Sequence, residues 1–475
     1  MPNLESADRL RLPQSRDLNP TESRVLISPS ALHGRLLQLS ESILSSLSKT
    51  REVPPENSSV SVKSMVESLL QRETAVRSPS IDEHELRASV RDFSLACALL
   101  VASRYSKHDL LSWITQDLSE LADSAFSDLA KAYADYFYED NAKRVDELGI
   151  DYGFGASGEK RLVIELIPEV LPLLKDRIKE SSIDKSDESD EAFAASAKVP
   201  VGYAIVAAYQ LRWFVTQVDR PYLGKMCNLV VPCALTALDH WSPHVKSQGM
   251  ISFTHLAKNV NAAELGWYED PILDACCQNI ASDDDIWHHV VEMSVLLVTS
   301  TQRNNPRSPW FERLLNEMLS HLERQPRNKE RRTAWLELIE PLLNVVGLVL
   351  LAHFRRLFPL FFLWMHADDD ETLLLVLQRA HTVIRLTWIR NTPYVERLVD
   401  ELLVLYKEAA LKGKREEIRT HILQILLLLQ QCKGMQFEAA WDKHRNDPNL
   451  AKLVSSLSGT SQDVINSDSA TAVSE

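Results

Sequence analysis

The sequence predicts an all-α protein folded as a HEAT/ARM-like helical-repeat solenoid. Only 13 of its 475 residues are glycine, which disfavours a turn-rich β protein. Apolar residues recur at helical spacing in nearly every apolar segment, and a layout of two helices joined by a short polar turn returns along the chain. Because 45% of the residues are hydrophobic and 25% are charged, the chain can bury a core and fold.

The repeat pattern is clearest in residues 229–260 and 357–386. Each stretch has a proline inside a first apolar helix, Pro232 or Pro359, followed by a polar turn and a second apolar helix. The two prolines lie 127 residues apart, which divides into three steps of about 42 residues, within the period of HEAT repeats. We predict further units at 272–298 and 311–343, and a final helix pair at 395–411 and 418–429.

Composition divides the chain into five segments. Residues 1–29 and 455–475 are polar, and we expect both to be disordered. Residues 30–180 are predicted to form a helical N-terminal region, 181–198 an acidic, serine-rich loop, and 199–454 the repeat array. Within the N-terminal region, apolar spacing predicts helices at about 32–47, 86–101, 110–138 and 162–178.

Charge and cysteine content narrow the class of protein. The 52 basic and 66 acidic residues leave a net charge of -14, which disfavours a nucleic-acid partner. The cysteines are too few and too scattered for a disulfide framework, and they fit a reducing compartment. The N-terminus matches neither a signal peptide nor a transit peptide, so we expect a cytoplasmic protein, with the nucleus as an alternative. The cysteines are Cys97, Cys227, Cys233, Cys276, Cys277 and Cys432.

The most apolar stretch, residues 342–365, resembles a membrane span in composition. Polar residues interrupt it before a charge-free run of about 18 residues accumulates. We therefore predict two buried helices in this stretch, and no membrane partner. The interrupting residues are Asn344, His353, Arg355 and Arg356.

One glycine pattern matches a cofactor motif. Gly153, Gly155 and Gly158 have the spacing of a dinucleotide-binding loop. The preceding residues do not form a buried strand, and no alternation of strands and helices surrounds the glycines, as such a loop requires. The pattern therefore favours a loop between helices, and we predict no cofactor.

One cluster contains residue types that bind metals. His288 and His289 follow the acidic residues 283–285, with Cys276 and Cys277 upstream. Adjacent residues on a helix point about 100° apart, and no paired-ligand spacing of a zinc site occurs here. The acidic residues fit a polar turn followed by a helix N-cap, as do residues 368–370 in a later unit. We predict no metal site, and because no hydrolase, P-loop or kinase signature is present, no enzyme activity.

Aromatic residues are dense in the unit around residue 358. They can form a binding surface or belong to the core, and helical spacing favours the core. The candidate partner-binding residues are Arg355, Arg356, Phe358, Phe361, Phe362 and Trp364. Because the helix 422–429 is apolar nearly all round, either residues 435–454 or another subunit must cover it, and we favour a subunit bound to repeats 341–432.

Several stretches in the second half of the chain resemble one family. RPYLG at 220–224, VPCALTALDHWSPHVKSQGMISFTHLAKNVNAAEL at 231–265, RLLNEMLSHL at 313–322 and VIRLTWIR at 383–390 are similar in order and spacing to the Tti-two family. That family supplies the smallest subunit of the TTT (Tel, Tti, Tti) co-chaperone complex. The resemblance covers residues 213–432, nearly half of the chain.

The resemblance implies a non-enzymatic scaffold that binds protein partners. It implies the larger Tti subunit, the Tel subunit and the ninety-kilodalton heat-shock chaperone system as partners. It also implies phosphatidylinositol-3-kinase-related kinases of the mTOR, ATM and ATR class as clients whose maturation and stability it supports. A different HEAT/ARM adaptor, such as a transport receptor or a phosphatase scaffold, is the alternative, because fold alone does not decide function.

Overall fold

The computed structural model describes residues 29–52, 60–71, 83–104, 106, 108–136, 157–181, 199–390 and 393–457. Every regular element in these ranges is helical, and they contain no strand. The segments predicted to be disordered, 1–29 and 455–475, and the predicted acidic loop, 181–198, lie outside the described residues except at their edges.

The helices of the N-terminal region are α1 (Pro29–Lys49), α2 (Val62–Gln71), α3 (Glu83–Ala102), α4 (Gln116–Tyr136) and α5 (Gly158–Glu180). The array from residue 199 contains α6 (Val201–Thr216), α7 (Cys227–Asp239), α8 (Pro243–Asn259), α9 (Glu269–Asn279), α10 (Trp287–Thr301), α11 (Pro309–Arg324), α12 (Lys329–Leu338), α13 (Glu340–Val346), α14 (Phe354–Trp364), α15 (Asp370–Thr387), α16 (Tyr394–Glu408) and α17 (Arg415–Trp441). Single turns of helix at Tyr222–Lys225 and Ala262–Leu265 and several 3-10 turns connect them, and residues 451–457 form the last helix, α18.

The helices stack in two layers, each helix packing on the previous and the next helix of its own layer. Layer A contains, in order, α1, α4, α5, α7, α9, α11, α14 and α16; layer B contains α2, α3, α6, α8, α10, α12 with α13, α15 and α17. One continuous apolar core runs between the layers from Leu32 to Leu457. Because each unit contacts only its neighbours, the molecule is an all-α, HEAT/ARM-like helical-repeat solenoid.

The predicted repeat units agree with the helix pairs. Pro232 lies inside α7, which α8 follows, and Pro359 lies inside α14, which α15 follows. The pairs α9–α10, α11–α12 and α16–α17 occupy the other predicted units. Each A helix joins its B helix at one edge of the array, the turn edge, at residues 240–242, 280–286, 325–328, 365–369 and 409–414. At the opposite edge, the connection edge, each B helix leads to the next unit through residues 217–226, 260–268, 302–308 and 347–353, and through a last connection that begins at 388–390.

Polar contacts join successive units along the turn edge. Arg331 donates to Asp284 of the preceding turn (2.5 Å) and Arg332 donates to Asp369 of the following one (2.6 Å). Asp369 also caps α15 by accepting from the Thr372 amide (2.9 Å). The predicted N-cap therefore occurs in the later acidic turn, where Asp369 caps α15. In the turn 283–285 no side chain caps the helix that follows, and Asp284 instead binds Arg331 of the next unit.

Residues 340–364 are long and apolar enough to cross a membrane by length and composition, and 50% of their most apolar window is buried in the fold. The structure divides this stretch into α13, the 3-10 segment 347–353 and α14. The break falls at Gly347, which has a φ of 54°. Glycine adopts this backbone conformation readily, whereas it is unfavourable for other residues. The two buried helices predicted from the sequence are α13 and α14.

Candidate protein-binding surfaces

The aromatic side chains of α14 lie in the core. Phe358 stacks on Tyr394 of the next layer-A helix with 4.9 Å between ring centroids, and Trp364 lies 6.0 Å from Trp335 of the preceding unit. The rings assigned from the sequence to a partner-binding surface, each at most 2% exposed, are Phe358, Phe361, Phe362 and Trp364. The core position that helical spacing favours is confirmed for these rings, and their place among the candidate partner-binding residues is corrected, because they join neighbouring units and are not accessible.

Arg355 and Arg356, the two arginines of the same candidate set, differ in their contacts with the rest of the fold. Arg356 donates to Glu323 (2.7 Å), Asn316 (2.9 Å) and Ser320 (3.0 Å) of α11. The bond to Glu323 is the main reason that the pKa of the Arg356 guanidinium is raised. Arg356 therefore connects α14 to α11, whereas Arg355 is exposed and has no acidic partner among the described residues.

The C-terminal end of the array is covered by the chain itself. Helix α17 continues past residue 429, and its rings Phe437 and Trp441 stack with 5.9 Å between centroids and are buried. Leu450 and Leu453 are also buried. Residues 435–454 therefore fold back on this end and contact α16 through Lys407–Asp447 and Asp400–His444. This is the alternative that the sequence analysis did not favour, and binding of a subunit to repeats 341–432 stays a prediction.

Exposed apolar side chains lie on the connection edge. Trp267 is 93% exposed, Trp388 56%, Leu348 50% and Val349 39%. Because monomeric proteins normally bury large aromatic residues, this edge is a candidate contact surface.

A groove of about 550 Å³ crosses layer A between α5, α7 and α9. Its lining mixes charged residues, Lys175, Lys179, Asp239 and Asp274, with Leu235 and Ala275. At one end His240 lies 3.2 Å from the Ser181 hydroxyl, and burial lowers the pKa of its imidazole. The groove presents both signs of charge and no convergent set of catalytic groups, which fits a protein contact better than a reaction site.

A smaller groove of about 270 Å³ opens on the connection edge. It lies between residues 306–315, which begin α11, and residues 346–353. Leu348 and Val349 project beside it because Gly347 turns the chain outward at the end of α13. The sequence analysis missed this groove, although an isolated glycine inside an apolar run was a usable signal of a chain break.

The histidine pair lies beside Glu292, an acidic residue that the sequence analysis did not consider. The ligand atoms of His288, His289 and Glu292 lie within 4.8 Å of one another. Glu292 already accepts from Lys258 (3.0 Å), and burial lowers the pKa of His289, which leaves its ring neutral at pH 7. A cation would have to displace the lysine ammonium, so the group forms a weak candidate metal site.

The aspartate and the cysteines considered with these histidines in the sequence analysis do not join them. Asp284 is bound by Arg331 (2.5 Å) and Asn328 (2.6 Å). Burial raises the pKa of Cys276 to about 12 and that of Cys277 to about 11. Protonated, buried thiols are poor metal ligands and poor nucleophiles.

The candidate nucleotide loop lies mostly outside the described residues. Of its three glycines, Gly158 is described, and it begins α5. Ser157 caps that helix by accepting from the Lys160 amide (3.3 Å). No strand precedes the helix in the described part of the chain, so the context that a dinucleotide site requires does not occur there.

The fold and surfaces define a helical-repeat protein whose accessible features suit protein contacts. No family model matches the chain. It is 57% identical over 431 residues to the Arabidopsis thaliana protein named Uncharacterized protein At2g39910, and the alignment covers 90% of this chain and 95% of that protein. The chain therefore belongs to the family of that plant protein.

More distant similarity connects the chain to a human protein and to solved helical-repeat structures. TELO2-interacting protein 2 of Homo sapiens is 24% identical over 242 residues, which cover 46% of this chain and 47% of the human protein. Kap121p is 10% identical with a TM-score of 0.41 over 88% of this chain and 48% of that chain. Kap95p is 12% identical with a TM-score of 0.44, and the match covers 89% of this chain and 57% of Kap95p. The chain thus spans about half the length of these three proteins, and no functional property follows from structural likeness of that size.

Proposed function

We propose that this protein is a non-catalytic scaffold that binds a TELO2-type protein as a subunit of a TTT co-chaperone complex. The observation that carries the proposal is the similarity to TELO2-interacting protein 2, whose name states that it interacts with TELO2. The helical-repeat fold supports it, because stacked units offer long surfaces to protein partners. In that role the protein supports the stability of phosphatidylinositol-3-kinase-related kinases.

The accessible surfaces agree with a binding role. The connection edge exposes apolar side chains, and the layer-A groove carries charges of both signs. Both are ordinary properties of interfaces between protein subunits. We propose cytoplasmic and nuclear residence for such a complex, the ninety-kilodalton heat-shock chaperone system as its associate, and the larger Tti subunit as a second partner.

Affinity purification of the tagged full-length chain with mass spectrometry tests the proposal. We expect a Tel-type protein and a larger Tti-type protein to be recovered at near-equal amounts, and kinases of the named class to lose abundance when the chain is depleted. A tagged helical-repeat protein of unrelated sequence serves as the control. Recovery of nuclear-pore proteins or a phosphatase catalytic subunit in their place would contradict the proposal and favour the adaptor alternatives.

A further inference from the structure

Helix α17 contains a break near its C-terminal end. Lys433 has non-helical backbone angles, with a φ of -142° and a ψ of 40°. Gly434 follows, and a Cβ added there would meet no atom of the described residues within 4 Å. Met435 is 91% exposed. Because glycine weakens a helix and the break lies in open space, residues 433–434 are suited to act as a hinge.

The segment after the hinge, residues 434–457, is here called the C-terminal strap. It covers the end of the array and adds side chains to the continuous core. A terminal element of a repeat array packs on neighbours on one side only, so its opening separates one interface, whereas opening of an inner unit separates two. The large buried side chains of the strap are Phe437, Trp441, Leu450, Leu453 and Leu457.

Three pairs of polar side chains join the strap to one face of α16. The α16 members stand four and then seven positions apart, which places them within about 40° of one another around the helix. In chain order, α16 presents two acidic groups and then a basic one, and the strap presents two basic groups and then an acidic one. The two rows are therefore complementary. The pairs are Glu396–Lys443, Asp400–His444 (2.7 Å) and Lys407–Asp447 (3.2 Å).

These pairs are accessible to solvent. Their side chains are between 24% and 62% exposed. Exposed pairs of this kind contribute little to stability and are screened by salt. The charge row therefore sets the position of the strap on α16, whereas burial of the apolar side chains supplies most of the attraction.

We infer that the C-terminal strap is an autoinhibitory cover that opens at Lys433 and Gly434 while the rest of the array stays folded. Opening uncovers the apolar end of the array beside α16, together with the charge row of Glu396, Asp400 and Lys407. This face then binds a helical segment of a partner protein that has the pattern of the strap, large apolar side chains followed by two basic residues and an acidic one. The inference goes beyond the proposed function and does not depend on it.

Hydrogen exchange of the full-length chain, measured by mass spectrometry, tests the opening. We expect the amides of residues 437–457 to exchange together, about tenfold or more faster than those of α15 and α16, with the step in protection at the hinge. Lys443→Glu should speed exchange of the strap about threefold, and adding Glu396→Lys should restore it. Lys452→Glu is the matched control, because Lys452 is an exposed strap lysine without an ion pair in the described part of the chain; its exchange should equal that of the unmodified chain.

A synthetic peptide of residues 434–457, labelled with fluorescein, is the probe for the uncovered face. By fluorescence anisotropy, the full-length double variant Phe437→Ser, Trp441→Ser should bind it about tenfold more tightly than the unmodified chain, whose own strap occupies the face. A peptide with Lys443→Glu should bind more weakly, and Glu396→Lys in the double variant should restore its binding. Circular dichroism and melting confirm that each variant is folded.

Three results would overturn the inference. Protection that falls gradually toward residue 457, without a step at the hinge, would mean that the chain end frays and does not open as a unit. Equal protection of the strap and α16 would make the strap a fixed part of the array. Peptide binding that is equal in the two chains, or absent from both, would show that the strap does not cover a docking face.

Discussion

The side chain of Arg331 shows how one buried charge fixes the position of two repeat units. It is 7% exposed, donates to Asp284 (2.5 Å) and to the Ser282 carbonyl (2.9 Å) of the preceding turn, and lies 5.3 Å from the Trp287 ring centroid. The cationic group thus has carboxylate, carbonyl and aromatic partners on one side. A buried arginine is tolerated when its donors are satisfied in this way.

Replacing Arg331 with alanine should lower the free energy of unfolding by about 2 kcal/mol, because charge-assisted bonds are lost and a cavity remains beside Trp287. Urea denaturation followed by circular dichroism measures the change. Arg327 is an exposed arginine in the turn before α12. The variant Arg327→Ala is the matched control and should change the free energy of unfolding by less than about 0.5 kcal/mol. Equal effects of the two variants would mean that Arg331 does not stabilise the unit junction.

The same pair predicts a dependence on pH. The hydrogen bond from Arg331 is the largest cause that holds the pKa of Asp284 below its ordinary value of 3.8. A carboxylate whose pKa is lowered in the folded state stabilises the fold above its ordinary pKa, and this stability is lost as pH falls through the folded-state pKa.

The variant Asp284→Asn should therefore be less stable than the unmodified chain at about pH 7, and the difference should shrink as pH falls below about 4. Melting temperatures of both proteins across this range measure it. Because Asp284 is 43% exposed on its side chain, solvent screening keeps the effect small. A difference that stays constant with pH would exclude the charged pair as its source.

Among the elements, the turn at Gly347 has a backbone conformation that requires the glycine found there in the sequence. Its φ of 54° ends α13, and a Cβ at this position would meet no atom within 4 Å. The need for glycine is therefore a matter of backbone conformation alone, and no steric contact contributes. The segment after it carries Leu348 and Val349, so this turn also positions the groove.

Changing Gly347 to alanine should destabilise the protein by about 1–2 kcal/mol, because an L-residue is strained at this backbone conformation. Gly266 is the matched control: it also has open space around it, but its φ is -49°, so Gly266→Ala should be neutral or slightly stabilising. Thermal unfolding monitored by circular dichroism compares the two. A similar cost at both positions would contradict the conformational explanation.

Helix existence was predictable from the sequence, whereas helix ends were less so. The apolar stripes located α1, α3, α5 and the paired helices of the array, and the two prolines indicated the repeat. Helix α4 begins at Gln116 and not near residue 110, because Leu110, Leu111 and Ile114 are buried in a turn that has the same apolar spacing.

Two further differences have local causes. Helix α2 has only 10 residues and was not predicted, although its buried residues Val62, Val66 and Leu70 have helical spacing. Helix α17 runs to Trp441 across non-helical backbone at Lys433, where the Lys433–Gly434 sequence resembles a helix end. The extension is stabilised by burial of Phe437 and Trp441, a tertiary contact that local sequence does not reveal.

At the scale of the whole molecule, the sequence indicated the array but not which residues face solvent. The rings of α14 are buried because Tyr394 of the next unit and Trp335 of the preceding unit cover them. Their spacing along one helix is the same whether they face a neighbouring unit or a partner protein. The exposed groove depends likewise on two connections that are distant in sequence, residues 302–308 and 347–353, and this proximity arises only from stacking of the units.

The reactivity of the cysteines can be used to test whether the units stay packed along the array. Those that lie in the core are Cys97, Cys227, Cys233, Cys276 and Cys277, and Cys432 is half-buried. Burial raises the pKa of each thiol, to about 11 for Cys227 and to about 12 for Cys233. Thiol reagents attack the thiolate, so burial suppresses both access and the reactive form.

In the native protein, only Cys432 should therefore react readily with a thiol reagent, and all six cysteines should react in denaturant. Absorbance of released thionitrobenzoate counts the reactive thiols, and mass spectrometry after partial labelling identifies them. The variant Cys432→Ser should lose the readily reacting thiol without a change in melting temperature, because the position is at the C-terminal part of α17. Ready labelling of Cys276 or Cys233 in the native chain would show that neighbouring units separate in solution and would contradict a continuously packed array.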